Sequence, residues 1–152
     1  MSISASDVKI LREESGVSIG KCKEALEAAD GDMEKAREVL KELQVKAAAK
    51  KADRELGAGT VFSYIHANKQ MGTILLLACE TDFVAKNEEF TALGNDIAMH
   101  ITAMGTETLE ELKEQPFVKD PEMTINQRIE SGIQKLGERI EVTSFNRIAV
   151  ES

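Results

Sequence analysis

The run Ile74-Leu75-Leu76-Leu77-Ala78-Cys79 constrains this chain more than any other segment. It lies in a stretch, Met71 to Cys79, that follows Val61 to His66, a segment rich in β-branched and aromatic residues. The Ala67-Asn68-Lys69-Gln70 between them can turn a hairpin. Side chains alternate across a strand, so a strand apolar at every position is expected to be buried on both faces. Something must therefore cover each side of this sheet.

Two helices are available to do so. Phe90, Leu93, Ile97, Ile101 and Met104 recur at helical spacing and end at Gly105. Thr124 begins another, with Gln127 as its capping-box partner, a stripe of Ile125, Ile129, Ile133 and Leu136, and Gly137 at the close. Residues 106–123 between them read as acidic and irregular, with at most one short helix, and hold both prolines. The chain finishes as a strand, Ile140 to Val150. Strands and helices do not alternate as in a doubly wound fold, so the class is α+β, with an antiparallel three-stranded sheet packed against helices. Two helices do not close both faces and the edges of such a sheet. A second copy of the chain would cover what is left.

Ahead of the sheet, the first 45 residues divide into three short helices. Ser4 caps the first, with Asp7 three positions on; Val8 and Leu11 share a face and Gly16 stops it. Ser18 caps the second, which carries Cys22, Ala25, Leu26 and Ala29, with Gly31 after it. Asp32 starts the third, with Met33, Ala36, Val39, Leu40 and Leu43 at helical spacing. Three amphipathic helices with tight glycine turns resemble a ubiquitin-associated domain, whose core is small and whose expected task is docking. The expected division is a docking bundle over 1–45, a basic helical linker over 46–59 and the sheet domain over 60–152.

Charge and composition narrow the function. The net charge is −8, which disfavours general nucleic-acid binding, because that affinity comes largely from basic residues meeting phosphates. Lys46, Lys50, Lys51 and Arg54 form one basic run, read either as a solvated helix end or as a local protein-docking patch. The N-terminus shows no signal peptide, and no apolar run approaches the roughly 20 residues of a membrane span, so a soluble cytoplasmic protein is expected. Cys22 and Cys79 form no C-x-x-C pair and read as small buried hydrophobes.

No reaction centre stands out. His66 and His100 are the only histidines, and a Cys-His pair would require one of them beside a cysteine. His66 ends a strand whose hairpin partner carries Cys79, which leaves a small hydrolase as the least supported reading. Neither phosphate-binding glycine motif is present, so direct nucleotide binding is not expected, nor is any metal or cofactor. The segment Glu80-Thr81-Asp82-Phe83-Val84-Ala85-Lys86-Asn87 remains. It is either an ordinary strand-to-helix turn with Phe83 in the core, or a rigid corner from which Phe83 projects as an interface anchor beside Asp82.

Several stretches, in order, resemble one family. T-D-F-V-A-K-N at 81–87 is similar to the signature of elongation factor Ts; C-K-E-A-L at 22–26 with Gly31-Asp32 resembles its N-terminal domain, and K-A-A-A-K-K-A at 46–52 its join. Q-P-F-V-K-D at 115–120 and L-G-E-R-I-E-V-T-S-F-N-R at 136–147 resemble the end of its core. The resemblance implies a guanine-nucleotide exchange factor for elongation factor Tu, with no chemistry of its own. It implies that Thr81, Asp82, Phe83 and Val84 disturb the partner's magnesium site, with Phe83 as the wedge. Ile19, Gly20, Lys23 and Lys51 are the expected N-terminal docking residues. The chain departs from the family at Ile19-Gly20-Lys21, where a methionine pair and an acid are usual, and at Thr143-Ser144, where a basic pair is usual. It carries one copy of the core where long members carry two, which implies a homodimer. The competing reading is a binding adaptor, a ubiquitin-associated-like bundle fused to a dimerisation domain.

Overall fold

The computed structural model describes residues 3–150. Three helices come first, α1 (Ala5–Ser15), α2 (Ile19–Ala28) and α3 (Met33–Lys51), each started by the expected cap. The side chains of Ser4, Ser18 and Asp32 accept from the backbone N–H groups of Asp7, Lys21 and Lys35, which occupies donors that a helix start leaves free. Gly16 ends α1 in the left-handed region at φ 70°, a conformation that strains residues bearing a Cβ. Leu11, Val17, Cys22, Ala25, Leu26, Ala36 and Leu40 close a small core among the three. Helix α3 does not stop with the bundle. It runs on without a break to Lys51, packs along α7 (Ile125–Leu136) and brings Ala48 against the second, larger core.

That core belongs to an antiparallel sheet in the order β1 (Ala58–Ile65), β2 (Met71–Cys79), β5 (Glu141–Ala149). β1 pairs Ala58 with Cys79 at one end and Ile65 with Gly72 at the other. β5 pairs along the opposite edge of β2, with a register shift between Leu76 and Leu77. Helix α5 (Glu88–Met104) lies across one face and buries Phe90, Leu93, Ile97 and Ile101 against Phe62, Leu75 and Leu77, contacts worth about 1.5–3 kcal/mol for each large side chain. Gly94 allows the close approach, since a Cβ there would overlap the Phe62 ring. Met104, expected on the same stripe, is half-exposed at the last turn. Among the described residues, no helix is long and apolar enough to cross a membrane.

Two sequence expectations change. Residues 106–123 hold the short helix α6 (Leu109–Glu114) but also a small hairpin, β3 (Pro116–Phe117) with β4 (Asp120–Thr124). The buried His100 anchors it: Nε2–H donates to Gln115 Oε1 at 2.9 Å, and Nδ1 accepts from the Val118 N–H at 3.1 Å. Gln115 Oε1 also accepts the Thr106 hydroxyl, so it is an acceptor and sets the histidine tautomer. The second change concerns the apolar run. In the single chain the far face of β2 is only partly buried: Gly72 and Ala78 at its ends are buried, but Ile74 is 51% and Leu76 36% exposed. Helix α7 packs on α5 and α3, not on the far side of the sheet, and among the described residues no helix covers Ile74 and Leu76 there.

Candidate functional site

The far face of the sheet and the corner after β2 are the two candidate functional surfaces. On the far face the register aligns Val61, Leu76 and Ser144 in one row, then Ser63, Ile74 and Asn146, then Ile65, Gly72 and Ile148. Val61, Ile65, Ile74 and Ile148 are all at least half exposed. A contiguous apolar patch between small polar residues is the composition of a contact surface.

The corner is built at residues 80–87. β2 ends at Cys79, and Asp82–Ala85 make the single helical turn α4, capped by the Thr81 hydroxyl, which accepts from the Val84 N–H at 3.5 Å. Asn87 then caps α5 through the Glu89 N–H at 2.7 Å. Val84 and Ala85 turn into the core. Their burial settles where Phe83 goes: on so short a turn they occupy the inward side, and Phe83 stands 91% exposed with Asp82 exposed beside it.

Both ends of this turn are held. The Thr60 hydroxyl of β1 donates to the Ala85 carbonyl at 3.0 Å. At the other end Glu138, from the turn between α7 and β5, accepts the N–H groups of Glu80 and Thr81 at 3.0 Å each and the Thr81 hydroxyl at 2.6 Å. Glu80 reciprocates by accepting the Arg139 N–H at 2.6 Å and, more weakly, the Arg54 guanidinium at 3.4 Å. Arg139 Nη1 in turn donates to the Arg54 carbonyl at 2.6 Å. The exposed aromatic therefore stands on a turn with little freedom to relax.

The docking residues expected on the bundle lie apart from the corner. Ile19, Gly20 and Lys23 share the exposed start of α2, and the space around Gly20 is open, so local packing does not require a glycine there. Lys51 is on the last turn of α3, half-buried, where a cation meets the negative end of the helix. Among the described residues, no hydrogen bond or ion pair joins either of these groups to residues 81–84. The Cys-His pair fails on register. Cys79 faces Ala58 while His66 follows Ile65, about 26 Å away along the hairpin. Burial and the nearby Glu138 carboxylate also push the Cys79 thiol above its ordinary range, which disfavours a thiolate.

The sequence model of the family described as Elongation factor TS matches residues 80–152, beginning at this corner. Elongation factor Ts of Thermosipho melanesiensis is 38% identical over 97% of this chain and 98% of its own length. The chain belongs to the elongation factor Ts family. The Fervidobacterium nodosum elongation factor Ts is 37% identical with 99% of each chain covered. Elongation factor Ts of Clostridium botulinum is 45% identical over 99% of this chain but only 49% of its own length. The Thermosipho alignment extends over 193 positions against the 152 residues here, so segments of that elongation factor Ts have no counterpart in this one. Sequence reasoning located the corner but missed Glu138, Glu80 and Arg139 as its supports. Their partners lie 57 to 59 positions away, and no local pattern announces the contact.

Proposed function

We propose that this chain accelerates GDP release from elongation factor Tu, with Phe83 as a wedge that displaces the loops around the partner's magnesium ion. The observation that carries the reading is Phe83 itself, 91% exposed on a turn whose next residues, Val84 and Ala85, are buried and whose two ends are hydrogen-bonded. Magnesium requires near-ideal octahedral geometry at ~2.1 Å, so a small shift of its surroundings costs nucleotide affinity. Linkage makes the effect mutual: a factor that weakens nucleotide binding is itself displaced by nucleotide. Such a factor needs a surface that prefers the nucleotide-free partner, not a catalytic base. In this reading residues 1–45 dock through Ile19, Gly20 and Lys23, residues 46–59 link and add Lys51 to the docking contacts, and residues 60–152 carry the wedge, all in the cytoplasm.

Release of a fluorescent GDP analogue from elongation factor Tu tests this directly. The native protein accelerates release, and Phe83→Ala loses about 2 kcal/mol or more of that effect, roughly 30-fold. Unchanged release with the native protein would favour the adaptor reading, in which Phe83 is dispensable.

We also propose that two copies pair through the bare sheet face, which buries the Val61, Ile74 and Ile148 patch. Light scattering should give twice the chain mass, and Ile74→Asp should give single chains. A monomeric native protein at micromolar concentration sinks the pairing.

A further inference from the structure

We propose that Glu138 is the positioning residue of the exchange reaction, holding the Thr81–Val84 turn so that Phe83 meets the partner at one fixed angle. The proposal rests on the reading of Phe83 as the wedge and deepens it. An aromatic side chain that touches almost nothing cannot hold its own direction, so the direction of Phe83 is set by the backbone beneath it. That backbone is pinned at its far end by burial of Val84 and Ala85 and by the Thr60 hydroxyl on the Ala85 carbonyl. At its near end, the N–H groups of Glu80 and Thr81 fall past the last residue of β2, and one carboxylate oxygen of Glu138 accepts both. The other oxygen accepts the Thr81 hydroxyl, which leaves that hydroxyl oriented to accept from Val84 and start the turn.

The arrangement is reciprocal. Glu138 holds the backbone on either side of the Glu80–Thr81 bond, and Glu80 holds the backbone N–H of Arg139, the residue after Glu138. Arg54 pairs with Glu80 at 3.4 Å, and the Arg139 guanidinium bonds the Arg54 carbonyl and Glu141. Charge-assisted bonds to backbone donors are short and directional, and removing the acceptor leaves donors with no partner in the protein. Loss of Glu138 would free one end of the turn while the other stayed pinned. Phe83 would then swing without the core unfolding.

The test uses the full chain with Glu138→Ala, Glu138→Asp and Glu138→Gln, Phe83→Ala, and the Glu138→Ala/Phe83→Ala double variant. Hydrogen exchange is read at the Glu80 and Thr81 amides, with α5 amides as the folding control. GDP release is read on elongation factor Tu with a fluorescent analogue. Glu138→Ala should expose both amides and reduce the stimulated release about tenfold while α5 stays protected. The aspartate keeps the charge but lacks the reach, and should behave like the alanine, which also carries the test if the alanine variant does not fold. The glutamine oxygen can still accept the backbone donors, and should restore both readouts to within about threefold. In the double variant Glu138→Ala should add nothing to Phe83→Ala, because it acts through the ring.

Full activity with exposed amides would overturn the proposal, as would losses that simply add in the double variant. If Phe83→Ala itself leaves release unchanged, the wedge reading falls and takes this inference with it. If Phe83→Ala is impaired and the Glu138 variants are not, this inference alone fails.

Discussion

The three-helix bundle is assembled from neighbours in sequence, whereas the sheet domain is assembled from residues far apart, and the two should respond differently to the same damage. The bundle closes around Leu11, Leu26 and Leu40 with small residues filling the rest. The sheet domain draws Phe62, Leu75, Phe90, Leu93 and Ile140 together from three elements and a turn. A small core leaves little reserve, and a large one spreads a loss over many contacts. Yet α3 belongs to both, which ties the weaker unit to the stronger.

Truncation gives the largest expected effect and the sharpest separation. Leu93→Ala and Leu26→Ala should each cost about 2–5 kcal/mol. For Leu26→Ala that loss should melt α1 and α2 while the α5 amides keep their protection, and Leu93→Ala should lower the midpoint of the main transition. Loss of protection throughout the chain on Leu26→Ala would break the comparison, since it would make the two cores one cooperative unit.

Acidification should act on the sheet domain, where both histidines lie. Burial lowers the His100 pKa, opposed by its bond to Gln115, and protonation would set an Nδ1–H against the Val118 N–H. The unfolded chain then binds the proton more readily, so the stability due to neutral His100 is present above about pH 6.5. It is lost progressively as the pH falls toward the lowered folded value. The β3–β4 amides should lose protection as the pH falls below about 6.5, and His100→Gln should flatten that dependence. Protection that stays constant over the range would show that the imidazole does not hold the hairpin.

The smallest effect is in the bundle. Glu14 is held below its ordinary pKa chiefly by its hydrogen bond to Arg37, with burial acting the other way. Its contribution is therefore present above the ordinary carboxylate range and lost as the pH falls through the lowered value. The pair is 43% and 45% exposed and screened by salt, so Arg37→Met should cost about 0.2–1 kcal/mol in bundle stability. A loss several-fold larger would mean that this pair, rather than the leucines, closes the bundle.

The same contrast governs how much could be read in advance. Ser4, Gly16, Ser18 and Asp32 act on backbone groups a few positions away, so the helix starts and the first stop were legible. Strand β1 begins at Ala58 and not at the expected Val61, because pairing with Cys79 and Ala78 recruits Ala58 and Gly59 despite their weak strand preference. The β3–β4 hairpin, which holds Pro116 and Pro121, reads as loop, and His100 holds it from 18 positions away. At the corner, the turn was visible but its support was not. The outward direction of Phe83 follows from the burial of Val84 and Ala85, and its rigidity from Glu138, neither of which a local pattern reveals.

Helix α3 runs unbroken from Met33 to Lys51, and a helix couples length to rotation. Each residue advances it about 1.5 Å and turns it about 100°. Adding or removing one residue in the stretch between the two cores would hardly change its reach, yet it would swing Ile19 and Gly20 more than a quarter turn relative to Phe83. The spacing along α3 thus acts as an angular gauge, in which residue count, more than residue identity, keeps two distant faces in phase.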